Sequence, residues 1–128
     1  MKDLFIHLRL HSNYSLAEGM LSFDYISKFC TENNQPAIAI TDTSNLFGVF
    51  EFSLKMTSCG IQPIIGIQVN ILQNGNDENN IGEVVLIAKN EIGYKNLLFL
   101  TSGISNDENY YKLVSTHELE KYNDGLIL

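Results

Sequence analysis

Positive charge is scarce in this 128-residue chain, which has a single arginine, Arg9, and eight lysine and arginine residues together against fifteen acids. Proteins hold a nucleic-acid duplex by laying Lys and Arg along its phosphates. A formal net charge of −7 therefore argues against direct DNA binding by this chain. The same acidity favours a protein partner, a metal ion or simple solubility.

Long apolar runs and cysteine motifs are also missing. No stretch approaches the about 18 residues of a membrane span, and Met1-Lys2-Asp3 does not begin a signal peptide. We therefore predict a cytoplasmic protein without membrane contact. Cys30 and Cys59 have no motif spacing, which favours two reduced thiols over a disulfide. A hydrophobic content of 45% excludes intrinsic disorder, and the length fits one domain.

Apolar periodicity predicts strands that alternate with helices. Strands are predicted over 4–10, 37–41, 61–72 and 83–88 and from 126 onward, with a polar turn region over 73–80. This alternation, with strands buried on both faces, predicts an α/β fold with a mainly parallel sheet or barrel. Because the chain stops inside an apolar strand, we expect residues 1–128 to be one partial domain, incomplete at its carboxyl-terminal end.

Capping residues mark the predicted helices. Ser22 precedes a helix with the apolar stripe Phe23, Ile26, Phe29 and Cys30, which stops before Asn33. A second helix is predicted over 46–58, closed by Gly60. Asn90 precedes a third helix, and a capping box of Ser115 and Glu118 begins a short fourth one. The third helix has its apolar residues at helical spacing: Ile92, Tyr94, Leu97, Leu98 and Thr101.

The first predicted strand carries His7, Arg9 and His11 on one face, since side chains alternate along a strand. The two histidines would lie about 13 Å apart, too far to share one ion through bonds of about 2 Å. A chelating pair needs positions i and i+2, and position 9 is a permanently protonated arginine. Ordinary hydrogen-bonded histidines are therefore the favoured interpretation.

Polar residues follow several predicted strands, where parallel α/β folds collect their functional groups. They lie in 11–19, in 41–45, at Gln68 or Asn70, and in 89–91. Glu18 and Asp42 are the only candidate acid–base pair, and Asp42 is equally typical of a helix cap or turn. Nucleophile elbows and glycine-rich phosphate loops are absent from the sequence. The residues alone indicate a polar rim without a catalytic set.

Several segments, in order, carry a family resemblance: HLRLHSNYS at 7–15, PAIAITD at 36–42, NLFG at 45–48, GIQPIIG at 60–66, AKNEIGYKNL at 88–97 and LEKYNDGLI at 119–127. Together they resemble the amino-terminal polymerase-and-histidinol-phosphatase (PHP) domain of bacterial DNA polymerase III alpha subunits, the family C replicative polymerases. The resemblance implies the first part of a distorted seven-stranded, TIM-like β/α barrel. It also implies that the DNA-directed DNA polymerase (nucleotidyltransferase) carboxylates, with their Mg²⁺, lie outside this chain.

Metal-binding members of that superfamily hold cations at the carboxyl rim of the barrel. The resemblance implies that the corresponding positions here are Arg9, His11, Glu18, Thr43, Gln68 and Glu83. A His-x-His pair is replaced by Arg9 and His11, and the histidine of a Thr-Asp-His motif is replaced by Thr43. Gln68 replaces a glutamate and Glu83 a histidine, so only His11 is an intact ligand, with Glu18 a plausible substitute.

The missing ligands and the added positive charge predict a degenerate site that holds no metal. We expect the Arg9 guanidinium to stand in for the cation by pairing with Glu18 or Asp42. Zn²⁺ or Mn²⁺ would be expected only if the site were active.

The resemblance implies a non-catalytic structural and docking domain in DNA replication, with no catalytic residue in this chain. Its implied partners are the rest of the polymerase alpha subunit and the proofreading exonuclease subunit. Two alternatives remain open from the sequence. One is a metal-dependent phosphoesterase or 3′–5′ proofreading exonuclease that uses the rim, and the other is a stand-alone α/β binding protein.

Overall fold

A computed structural model describes residues 5–72, 81–102 and 113–128. The polar turn region predicted over 73–80 lies outside the described residues. The elements, in chain order, are α1 (Phe23–Glu32), β1 (Ala37–Ile40), α2 (Val49–Ser58), β2 (Gln62–Leu72), β3 (Ile81–Ala88), α3 (Glu91–Ser102), β4 (Leu113–Ser115), α4 (Thr116–Lys121) and β5 (Leu126–Ile127).

Side-chain caps begin three of these helices where the sequence predicted them. Ser22 Oγ accepts a backbone N–H of the first turn of α1. Asn90 Oδ1 accepts the backbone N–H of Gly93 at 3.0 Å, and Ser115 and Glu118 form a reciprocal capping box before α4. Each cap satisfies backbone donors that a helix leaves unpaired in its first turn. The three predicted caps are confirmed.

The second helix is shorter at its start than predicted. It begins at Val49 because residues 46–48 form a turn, and its N-cap, Gly48, offers no side-chain hydrogen bond. Its predicted end is confirmed: Gly60 follows with φ of 72°, a left-handed conformation that glycine adopts without steric cost.

The sheet is mixed rather than mainly parallel, while the predicted α/β class is confirmed. Its long central strand, β2, pairs in parallel with β1 and with β4, and antiparallel with β3. Strand β5 pairs antiparallel with β3. The three-residue β4 was not predicted from the sequence. Two antiparallel ladders place the ends of β3 opposite to where a parallel sheet would place them.

Residues 5–10, predicted to be part of the first strand, lie along β1 without forming a regular strand. The carbonyls of His7 and Leu10 accept the backbone N–H groups of Ala39 and Thr41 at 2.9 and 2.8 Å. The N–H of Leu10 donates instead to the side-chain hydroxyl of Thr41 at 2.9 Å. This side-chain bond replaces a backbone ladder bond, so the segment is extended and attached but irregular.

Two hydrophobic clusters form the core. One joins α1, β1 and α2 around Ile26, Ile40 and Phe52, and the other joins β2, β3, α3 and β4. Leu46 and Ile65 pack against both clusters. No helix among the described residues is long and apolar enough to cross a membrane.

Both thiols in the described part of the chain are free. Cys30 is buried in α1, and burial raises the pKa of its thiol because the thiolate is desolvated there. Cys59 is exposed. The predicted reduced state of the two cysteines agrees with this arrangement.

The buried face of α3 differs from the predicted stripe. Leu97 is buried as expected, but Ile92 and Leu98 are 52% and 40% exposed. The helix instead buries Leu100 and Gly93. Gly93 lies against the backbone of Gly125, where only a residue without a side chain fits. This contact sets which face of α3 points inward.

The close contact at Gly93 yields a stability prediction. A Cβ atom at position 93 would lie 1.9 Å from the carbonyl oxygen of Gly125, whereas one at Gly60 would meet nothing within 4 Å. We expect Gly93→Ala to lower the free energy of unfolding by several kcal/mol, of the order of an overpacked core. Gly60→Ala should cost only about 1 kcal/mol of left-handed strain. Urea titrations compare the two, and equal losses would contradict the contact.

Candidate functional site

The candidate site forms where the segment after β1 meets the middle of β2. Thr43 bridges to Gln68 as an isolated parallel pair. The N–H of Ser44 donates to the Gln68 carbonyl at 2.8 Å, and the N–H of Gln68 donates to the Asp42 carbonyl at 3.1 Å. Strand β1 ends at Ile40, whereas β2 continues to Leu72. Gln68, in the middle of β2, therefore lies beside the segment that follows β1.

The direction of β3 decides which of its ends joins the site. In the antiparallel register, Glu83 near the start of β3 lies opposite Asn70 of β2. Residues 89–91 follow the other end of β3, next to Gly125, to which the N–H of Lys89 donates at 2.8 Å. The prediction that 89–91 belong to the same rim as Asp42 was therefore wrong, since it assumed a parallel strand.

The side chains of Arg9 and His11 both contact one oxygen atom of Gln68. Gln68 Oε1 accepts from Arg9 Nε at 2.9 Å and lies 3.0 Å from His11 Nε2. Because Oε1 only accepts, the second contact requires the proton on His11 Nε2. Arg9 Nη2 lies 3.3 Å from Glu83 Oε2. The predicted pairing of Arg9 with Glu18 or Asp42 is corrected by this geometry, since Glu83 is the acid within reach.

Glu18 closes the other side of the cluster. Its Oε2 lies 3.4 Å from His11 Nδ1 and accepts the Thr43 hydroxyl at 2.5 Å. We call the six connected side chains the rim cluster: Arg9, His11, Glu18, Thr43, Gln68 and Glu83. These are the six positions that the sequence comparison with metal-binding domains singled out, and the fold brings all of them together.

Asp42 lies beneath the rim cluster and does not pair with Arg9. Its side chain is buried, and it accepts three hydrogen bonds. They come from the backbone N–H and the hydroxyl of Ser12, both at 2.7 Å, and from the hydroxyl of Ser15 at 2.6 Å. A buried carboxylate needs such partners because it has lost its water. Asp42 is thus an anchor for the loop after residues 5–11.

Ser12 and Ser15 are the functional-region residues that the sequence reading missed. Both are fully buried, at 0% and 1% exposure. Ser15 Oγ also accepts the N–H of Thr43 at 3.0 Å, so one hydroxyl joins two loops. Serines are common in loops, and the only signal for this role is their position shortly after the predicted first strand, residues 4–10.

The rim cluster does not suit a divalent cation as it is arranged. Such ions take several anionic or imidazole ligands at once. Here the Arg9 guanidinium lies among the donors, and both ring nitrogens of His11 face Gln68 and Glu18. Within the described residues, no group of three or more His, Cys, Asp and Glu side chains has an arrangement that would hold a metal ion.

Similarity to solved structures defines the class of fold. An amidohydrolase from Chromobacterium violaceum, with bound sulfate and no metal, matches with a TM-score of 0.59 and 20% identity. A proposed metal-dependent phosphoesterase from Bifidobacterium adolescentis matches with a TM-score of 0.58 and 12% identity. The matches cover 77% and 76% of this chain and 32% of each neighbour. These matches confirm the predicted fold, which is the first part of a TIM-like β/α barrel.

Sequence relatives narrow the class. The chain is 41% identical over 135 residues to the DNA polymerase III subunit alpha of Borreliella burgdorferi, and 40% identical over 129 residues to that of Rickettsia felis. These matches cover 98% and 99% of this chain but only 12% and 10% of the relatives. Residues 7–128 match the PHP domain family. The chain belongs to the PHP domain family.

The Asp42 anchor yields a second prediction. Asp42→Asn keeps the side chain's shape but replaces an acceptor oxygen with a donor group that faces donors. We expect a loss of about 1–3 kcal/mol in the free energy of unfolding, the cost of unsatisfied buried groups. Asp24→Asn is the matched control, because Asp24 contacts Lys55 at the surface. Urea titration should show little change for the control, and equal effects would contradict the anchoring role.

Proposed function

We propose that this chain is the PHP segment of a bacterial DNA polymerase III alpha subunit and serves DNA replication in the cytoplasm. The identity of 41% and 40% to two such subunits, over nearly the whole chain, supports this assignment. The chain spans about a tenth of the length of these relatives, and the polymerase chemistry belongs to the parts outside it. Within the polymerase, this segment acts as a non-catalytic structural and docking domain.

The position of the Arg9 guanidinium carries the non-catalytic part of the proposal. It lies between Gln68 Oε1 and Glu83 Oε2, at two of the positions that the family resemblance matches to metal ligands. Two unit positive charges 4 Å apart repel each other by about 4 kcal/mol at an effective dielectric constant of 20, and solvent at the exposed Arg9 lowers this figure. Restoring one ligand elsewhere in the rim cluster leaves this repulsion in place.

The ion pair itself contributes little to stability. Both side chains, Arg9 and Glu83, are 59% exposed, and pairs at that exposure contribute roughly 0–1 kcal/mol. Its consequence is electrostatic, since the guanidinium supplies locally the positive charge that a metal ion supplies elsewhere in the family. In the degenerate site, the permanent positive charge of Arg9 therefore neutralises the acidic side chains of the rim cluster.

Metal analysis tests the degenerate site. After dialysis against Zn²⁺ or Mn²⁺ and then buffer, we expect the unaltered protein to retain no stoichiometric metal by mass spectrometry. The double variant Arg9→His with Thr43→His removes the repelling charge and adds two imidazoles near His11 and Glu18. We expect it to gain metal affinity of at least tenfold.

Arg9→Lys with Thr43→His is the matched control, since it adds one imidazole but keeps the charge. Equal metal content in this control and in the double histidine variant would contradict the electrostatic argument. Stoichiometric metal in the unaltered protein, together with Mn²⁺-dependent phosphatase or exonuclease activity, would favour the alternative of a metal-dependent phosphoesterase.

Docking is tested separately. The implied partners are the remainder of the polymerase alpha subunit and its proofreading exonuclease subunit. The net charge of −7 agrees with a protein partner better than with bare DNA. We expect the natural polypeptide that carries residues 1–128 to co-purify with the exonuclease subunit in equal amounts on gel filtration. Separate elution of the two proteins at micromolar concentration would contradict the docking role.

A further inference from the structure

Three non-glycine residues among the described ones have a left-handed backbone: Ala17, Asn34 and Ser44, with φ of 63°, 52° and 56°. Asn34 follows the end of α1, where asparagine is ordinary because its short polar side chain tolerates this conformation. Alanine and serine lack this tolerance, since their Cβ atom crowds the following carbonyl oxygen. Ala17 and Ser44 are therefore in conformations that lower the stability of the fold.

Both strained residues are direct neighbours of rim cluster members. Ala17 precedes Glu18 in the chain, and Ser44 follows Thr43. These two rim residues contact each other, because the Thr43 hydroxyl donates to Glu18 Oε2 at 2.5 Å. Strained backbone persists only where the surrounding structure fixes it, and it concentrates at functional positions. The strain therefore flanks one particular contact of the rim cluster on both sides.

Backbone hydrogen bonds hold the chain around Ser44 from two sides. The N–H of Ser44 donates to the Gln68 carbonyl at 2.8 Å, and the N–H of Thr43 donates to Ser15 Oγ at 3.0 Å. The Ser44 hydroxyl is buried and has no hydrogen-bond partner within the described part of the chain. Its side chain therefore forms no bond that offsets the backbone strain. The contribution of this position is the direction that its backbone gives to Thr43.

The backbone around Ala17 is fixed in a similar way. The N–H groups of Glu18 and Gly19 donate to the Ser15 carbonyl at 3.1 and 2.9 Å. A Cβ atom at position 19 would lie 2.0 Å from the carbonyl oxygen of Ser12, so Gly19 lies directly against the buried serine loop. Glu18 is thus placed between a strained residue and a glycine that has no room for a side chain.

We propose that Ala17 and Ser44 are positioning residues of the rim cluster. Their left-handed backbone directs the neighbouring side chains of Glu18 and Thr43 toward each other. A right-handed or extended backbone at either position would be unstrained, but it would send the chain in a different direction and separate the two side chains. The geometry of the rim is therefore maintained at the expense of stability. The inference is independent of the docking role proposed above.

Glycine substitutions test the strain, because glycine adopts the left-handed conformation without steric cost. The reporter is the amide of Gln68, which donates to the Asp42 carbonyl at 3.1 Å. Hydrogen-exchange mass spectrometry measures its exchange in the natural polypeptide that carries residues 1–128. We expect Ser44→Gly to slow this exchange about tenfold and Ala17→Gly about threefold. Asn34→Gly is the matched control and should change the rate less than about twofold.

A double-mutant cycle tests the positioning itself. Thr43→Val and Glu18→Ala remove the two partners of the contact, and the non-additivity of their effects on Gln68 exchange measures the coupling. We expect a coupling of about threefold or more in the unaltered protein and an equal coupling in the Ser44→Gly background. In the Ser44→Val background the coupling should vanish, because a β-branched residue disfavours left-handed backbone. Asn34→Val is the matched control, since it imposes a similar strain and should leave the coupling unchanged.

Two results would overturn the proposal. Unchanged or faster exchange in Ser44→Gly would mean that this residue carries no strain, and a coupling that survives in Ser44→Val would mean that its backbone does not direct Thr43. If Ser44→Val fails to fold, Ala17→Val takes its place in the cycle. The same loss of coupling is then expected from the Glu18 side, and its survival would reject the positioning role.

Discussion

The buried carboxylate of Asp42 is the interaction on which the rim depends. It follows β1 directly, and its three hydrogen bonds fix Ser12 and Ser15 in the loop that leaves residues 5–11. His11 directly precedes that loop and Glu18 lies near its end, and their side chains approach to 3.4 Å. The buried anion therefore anchors the loop after residues 5–11, together with the backbone hydrogen bonds inside that loop.

The rim cluster holds its six side chains together through polar contacts alone. Gln68 lacks the charge of a glutamate, yet its oxygen still collects the side chains of Arg9 and His11. Thr43 lacks an imidazole, yet its hydroxyl still reaches Glu18. Under the proposed loss of metal, short polar contacts would take the place of coordination bonds at these positions. The proposed loss of metal and the persistence of the fold are compatible because both depend on these contacts.

Local signals in the sequence predicted local structure well. Ser22, Asn90 and the Ser115–Glu118 box act within one turn, so each cap could be identified from its neighbours. The direction of β3 could not be predicted in this way, because it depends on which strand β3 pairs with. The assumption of a parallel sheet therefore assigned residues 89–91 to the wrong edge. The family resemblance identified the six rim positions, but the choice of Glu83 as the partner of Arg9 depends on that same antiparallel register.

Leu46 and Ile65 pack against both hydrophobic clusters, and this double membership has a mechanical consequence. Neither half of the core can separate from the other without exposing these two side chains to water. We therefore expect the two clusters to unfold together, with these two side chains as the apolar link between them.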